Sequence, residues 1–173
     1  DAMNKGLQRA TGDYVCFLNA GDFLPSSATI ETIVQMAKCE LKSEGTLPAV
    51  LYGDTDIVGN GGTFIGHRRL RPPKNLSWRS FQQGMLVCHQ AFYARLDIAQ
   101  TIPYDLKYRY SADVDWCIRI MKEAERRQLM ISNVGCVIAN YTKEGQTTIH
   151  HRASLKERYN IMCCHYGKIT TML

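Results

Sequence analysis

The chain has 173 residues, 45% of them hydrophobic and 21% charged, with a formal net charge of +5. That length supports one domain with a real core, and the composition excludes disordered, collagenous and coiled-coil classes. Its apolar runs fall well short of the roughly 20 residues of a membrane span.

Residues 2–11, AMNKGLQRAT, put Met3, Leu7 and Ala10 on one helical face, and Gly12 ends that helix. Tyr14 to Leu18 is a continuous apolar run, as expected of a strand buried on both faces. It ends on the small turn Asn19-Ala20-Gly21-Asp22. Pro25-Ser26-Ser27 opens a long helix with Ile30, Ile33, Val34, Ala37 and Leu41 as its apolar stripe. A second strand covers residues 49–59. Gly59 to Gly62 form a tight turn, and residues 63–70 return from it as a β-hairpin. Residues 84–95, GMLVCHQAFYAR, read as a third apolar strand that carries His89 and Gln90. Ser111 begins a helix whose inner face is Val114, Cys117, Ile118 and Met121, with Glu123 and Arg127 spaced to pair outside. Residues 134–141 form a fourth strand. A last amphipathic helix starts near Ser154 and presents Leu155, Tyr159, Met162 and Tyr166.

Alternating strands and helices predict an α/β layer fold with a mostly parallel sheet and a mixed edge. Ligands in such sheets sit at the carboxyl ends of strands, where Asp22 and His89 are expected. Asp113 lies just ahead of a helix and is positioned to join them. Each has a plainer reading: a turn aspartate for Asp22, a structural histidine for His89, and, for Asp113 and Asp115, complementing the positive end of a helix. The basic run HRRLRPPK, His67 to Lys74, is either a solvated loop or a phosphate-attracting patch. It is short and lacks interleaved aromatics, which argues against nucleic acid. The seven scattered cysteines read as reduced thiols in a cytosolic protein, and without C-x-x-C a zinc knuckle has no support.

The stretch DAMNKGLQRATGDYVCFLNAGDFL, residues 1–24, resembles the family-2 glycosyltransferases with the A-type nucleotide-sugar fold. YGD at 52–54, CHQAFY at 88–93 and YSADVDWCIRI at 110–120 are similar to that family's following segments. The resemblance implies a mostly parallel mixed sheet flanked by helices, in the Rossmann-like nucleotide-diphospho-sugar transferase fold. The chain opens on Asp1, and the resemblance implies a single catalytic domain over 1–173 that lacks the first nucleotide-binding strands. It implies inverting sugar transfer in polysaccharide or glycoconjugate synthesis, from a UDP- or GDP-type nucleotide sugar to a saccharide or lipid-linked saccharide. Asp113 then matches the catalytic base, although Ala112 replaces the glutamate that usually precedes it. Asp22 matches the ligand of Mg2+ or Mn2+, with Asn19 in the first position of the Asp-x-Asp pattern. Asp54, His89 and His151 are expected to touch donor or acceptor. The implied location is cytoplasmic, with peripheral contact at the inner face of the membrane. A non-catalytic fragment of the same fold, serving as an interaction module, is the alternative. A phosphate-binding regulatory domain working through residues 67–74 ranks third.

Overall fold

The computed structural model describes residues 1–142 and 151–168. Its elements run α1 (Ala2–Arg9), β1 (Tyr14–Val15), α2 (Thr29–Glu44), β2 (Val50–Val58), β3 (Phe64–His67), β4 (Phe92–Arg95), α3 (Leu96–Ala99), α4 (Ala112–Arg126), β5 (Ile131–Thr142) and α5 (His151–Tyr166). Among the described residues no helix is long and apolar enough to cross a membrane.

Strand β2 is the axis of the sheet. Its first half pairs antiparallel with β4, Val50 opposite Ala94 and Tyr52 opposite Phe92. Its second half pairs antiparallel with β3, Asp56 opposite His67 and Val58 opposite Phe64. Its other edge runs parallel to β5 from Val50 opposite Ile131 to Val58 opposite Thr142. Strand β1 adds to β4, again antiparallel. The mixed sheet flanked by helices is as expected. A mostly parallel sheet is not, because β2–β5 is the one parallel pairing among the described residues. Of residues 84–95, read as a third apolar strand, only Phe92–Arg95 is strand, and it runs antiparallel to β2.

Ala49 to Tyr52 are fully buried, as are Phe81, Phe92, Ile118 and Ile138. Helix α4 buries Val114, Cys117, Ile118 and Met121 as its 3.6-residue period requires, and Glu123 pairs with Arg127 at 2.6 Å. Trp116 lies 1% exposed beneath the site, stacked on Tyr104 at 4.8 Å between ring centroids and met edge-on by Phe17 and Phe92. Its indole N–H donates to the Ile102 carbonyl, so the buried ring leaves no orphan donor.

Three sequence expectations need correction. Strand β1 is two half-buried residues rather than five buried ones, and Leu18 is exposed. Helix α2 buries Ile33 and Ala37, while Ile30, Val34 and Leu41 remain exposed along a cleft of about 520 Å³ that also holds Tyr14 and Tyr93. Helix α5 turns Ser154 and Ile161 inward and leaves Leu155 and Tyr159 exposed.

At the join between the two halves of β2, the backbone of β5 comes too close for a side chain. A Cβ on Gly53 would lie 2.7 Å from the Cys136 carbonyl oxygen and 2.8 Å from Ile138 Cγ1. The β2–β5 register shifts at this point. Gly53→Ala therefore forces strands apart, and chemical denaturation should show a stability loss of about 1–3 kcal/mol.

Candidate functional site

The residues after β3 and before β4 enclose a cavity of about 280 Å³. Asn19, Ile57, Arg68, Met85 and Cys88 line it, together with His89, Gln90, Asp113, Tyr141 and Arg158. Segments distant in the chain thus meet at one end of the sheet.

Asp22 sits on a turn whose main chain closes from Asp22 N–H to the Asn19 carbonyl at 3.0 Å. Gly21 adopts φ 93°, a left-handed conformation that a side chain would oppose. Phe23 and Asn140 exchange main-chain hydrogen bonds, which clasp the turn to β5. The Asp22 carboxylate then accepts the Thr142 N–H at Oδ1, 2.9 Å, and the Gln90 amide at Oδ2, 2.5 Å.

Gln90 is 1% exposed, and every polar part of its side chain is engaged in holding the turn together. Its Oε1 accepts the Cys88 thiol at 2.6 Å, and its main-chain carbonyl accepts the Cys16 thiol. Burial pushes the Cys16 thiol up to about 12 and raises that of Cys88 as well, so both stay protonated donors at neutral pH. These cysteines serve as hydrogen-bond donors, not as nucleophiles.

His89, one residue earlier, turns to the other carboxylate. Its Nδ1 lies 3.1 Å from Asp113 Oδ2, and the two side chains keep 12% and 22% of their surface exposed. Its Nε2 is buried with no partner among the described residues. Burial works to raise the Asp113 pKa, but the His89 hydrogen bond and charge outweigh it and hold the carboxyl below its ordinary range. Asp113 begins α4 on the face opposite Asp115. Asp115 is spent on structure, pairing with Arg119 at 2.7 Å and with His165 at 2.9 Å.

The start of α4 is held from a distance. Ser111 makes no side-chain cap, and its hydroxyl instead meets Ser154 of α5. Glu157 of α5 anchors the segment leading into the helix, accepting the N–H groups of Arg109, Tyr110 and Ser111 at 2.7–2.8 Å. Its neighbour Arg158 is thereby brought to the cavity wall.

Of the residues singled out from sequence, Asn19, His89 and Asp113 line the cavity, and Asp22 joins them through Gln90. His89 lies on a short helical turn, His89–Ala91, that leads into β4, not at the end of a strand. Asp54 does not join them: it is buried in a two-point ion pair with Arg71. His150 lies outside the described residues, and of His151 only its place at the start of α5 is described. Arg68 belongs to the basic run read as either a solvated loop or a phosphate-attracting patch, without being singled out within it, and Arg158 went unread on a helix whose inner stripe is polar.

Among the described residues no three His, Cys, Asp or Glu side chains converge as metal ligands. Each Asp22 oxygen accepts one hydrogen bond and keeps a free lone pair, the chemistry a single carboxylate needs to contribute to a hard-cation site.

No family model matches the chain. It is 31% identical over 150 residues to a PGL/p-HBAD biosynthesis glycosyltransferase of Mycobacterium tuberculosis, covering 84% of this chain and 51% of that one. It is 27% identical over 126 residues to the amylovoran biosynthesis glycosyltransferase AmsB of Erwinia amylovora, covering 70% of this chain and 40% of that one. The chain thus spans about half the length, or less, of these curated relatives. In three dimensions it is similar to S. aureus TarS 1-349 in complex with UDP-GlcNAc, with a TM-score of 0.62 and 16% identity over 96% of this chain and 45% of that one. The fold is that of TarS, and the sequence relatives are bacterial glycosyltransferases.

The lowered pKa of Asp113 sets a pH dependence of stability. A carboxyl with a depressed folded pKa contributes stability above its unfolded value of 3.8, and that contribution is lost as pH falls through the lower folded value. The stability difference between wild type and Asp113→Asn, from urea titrations, should be larger near neutral pH than at about pH 3.

Proposed function

We infer that this chain is the catalytic part of a glycosyltransferase acting in polysaccharide or glycoconjugate assembly. It moves a sugar from a nucleoside-diphosphate donor to an acceptor hydroxyl, with inversion at the anomeric carbon. One observation carries the reading: adjacent cavity residues, His89 and Gln90, each bind a carboxylate, Asp113 on the same cavity wall and Asp22 through the Gln90 amide. Kinship with glycosyltransferases supports it, and the UDP-GlcNAc complex of TarS, a protein of the same fold, supports a nucleotide-sugar donor.

Asp113 acts as general base. It is ionised at neutral pH, partly exposed to the cavity and oriented by His89. The acceptor oxygen attacks the anomeric carbon while its proton passes to the Asp113 carboxylate, and the bond to the donor phosphate breaks. Attack from the face opposite the leaving group inverts that carbon. Asp22 is the side chain that would hold Mg2+ or Mn2+. A divalent cation supplies charge neutralisation for the departing diphosphate when bound. Gln90 and the Thr142 N–H fix the Asp22 carboxylate, so its orientation is set before any ligand arrives. The donor and acceptor would meet on the cytoplasmic face of a membrane, where nucleotide sugars are available.

In the full-length protein, Asp113→Asn should lower kcat for sugar transfer by about 10²–10⁴-fold with a small change in donor KM. Transfer at the wild-type rate would refute the assignment of the base. Asp22→Asn should raise the Mn2+ concentration needed for half-maximal transfer, by about tenfold or more, as loss of one charged oxygen ligand predicts. An activity that persists unchanged in excess chelator would remove Asp22 from that role.

A further inference from the structure

Among the described residues neither arginine of the cavity has a carboxylate partner, whereas six other arginines are matched in ion pairs. Arg71 pairs with Asp54, Arg79 with Glu125, Arg95 with Asp97, Arg119 with Asp115, and Arg126 and Arg127 with Glu123. Arg68 is held instead by neutral carbonyls: Leu70 at 2.7 Å, Leu86 at 3.2 Å and Met85 at 2.6 Å. Those bonds fix the guanidinium without cancelling its charge, and burial lowers its pKa, a cost of holding a cation there. Arg158 reaches the same cavity from α5, and its Nε is buried without a partner among the described residues. A buried, unmatched N–H on a cation is unfavourable unless a ligand completes it.

We propose that Arg68 and Arg158 form an anion-binding subsite beside Asp113 that takes a phosphate or carboxylate group of the acceptor. The class of ligand follows from the guanidinium geometry, whose forked N–H donors match planar or tetrahedral oxyanions. The side of the reaction follows from position, because the arginines share the cavity wall with Asp113 whereas Asp22 is held at the Thr142 side. That second step rests on Asp113 being the acceptor's base; the subsite itself does not. An anion docked there also raises the proton affinity of Asp113, which favours removal of the hydroxyl proton.

The test uses full-length protein and inorganic phosphate as the probe, with binding read by calorimetric titration. Wild type should bind phosphate, and should still bind it when saturated with Mn2+ and whichever of UDP or GDP it takes. Arg158→Gln should weaken phosphate binding by about tenfold or more, and Arg158→Lys, which keeps the charge, should lose less. Asp113→Asn should slow transfer by about 10²–10⁴-fold yet leave phosphate binding intact or tighter, which separates failure of the base from failure of the subsite. Phosphate binding that is absent in wild type, or equal in Arg158→Gln, would overturn the subsite. Displacement of phosphate by the nucleoside diphosphate would overturn its assignment to the acceptor and give the arginines to the donor.

Discussion

The arrangement of the site depends on a three-residue turn. His89 and Gln90 project from one short helical turn ahead of β4, and each side chain meets a different carboxylate. A turn this tight allows its two side chains little independent movement. Asp22, from the loop after β1, and Asp113, from the start of α4, are therefore held in a spacing set by local backbone geometry rather than by long flexible contacts. The Cys16 and Cys88 thiols tie down the turn from behind. Because the surrounding medium is buried and poorly solvated, these few hydrogen bonds are stronger than their exposed equivalents.

The turn is in turn steadied by what surrounds it. Strand β2, buried except at Asp56 and Ile57, provides the platform, and β4 and β3 share one of its edges in succession. Where the two strands diverge, the connecting chain must leave the sheet, and the space between becomes the cavity. Below it, the Trp116 stack stops α4 from rolling, and so fixes the direction in which Asp113 points. From the far side α5 closes the start of α4 through Glu157, one carboxylate serving three main-chain donors. That contact sets Asp113 and Arg158 relative to one another.

How far the sequence disclosed this varies by element. Helix α4 was legible because its inner residues recur with helical period and are all apolar. Asp113 was singled out because residues 110–120 resemble the base-bearing segment of the family; helix geometry alone says only that Asp113 and Asp115 face different ways. Residues 84–91 were not legible as a loop. They are apolar, yet the carbonyls of Met85 and Leu86 go to Arg68 and that of Gln90 to Cys16, so they do not enter the sheet as a strand would. Long-range side-chain demand overrode local pattern there. Helix α5 misled for a related reason. Ser154, Arg158, Ile161 and His165 recur at helical spacing, but an inner stripe that is mostly polar carries no hydrophobic signal. Asp54 misled because its partner, Arg71, lies across a loop whose path nothing local announces.

The basic run at residues 67–74 shows why charge counted along a chain is a weak guide. His67 is matched by Asp56 and Arg71 by Asp54, while Arg69 and Lys74 lie at the surface. Only Arg68 carries its charge inward, where it meets carbonyl dipoles instead of a counter-ion. A close ion pair such as exposed Arg71 with buried Asp54 cancels its field at short range, so it neither attracts nor orients a distant ligand. An arginine held by neutral oxygens keeps its field while losing its freedom to move. The positive charge at the cavity therefore comes from Arg68, held by carbonyls, and Arg158 on the same wall, set against an Asp113 already shared with His89, and not from the net charge of +5 on the whole chain. A surface patch would attract any polyanion. A pair of guanidinium groups in a cavity of about 280 Å³ admits only an oxyanion small enough to enter it.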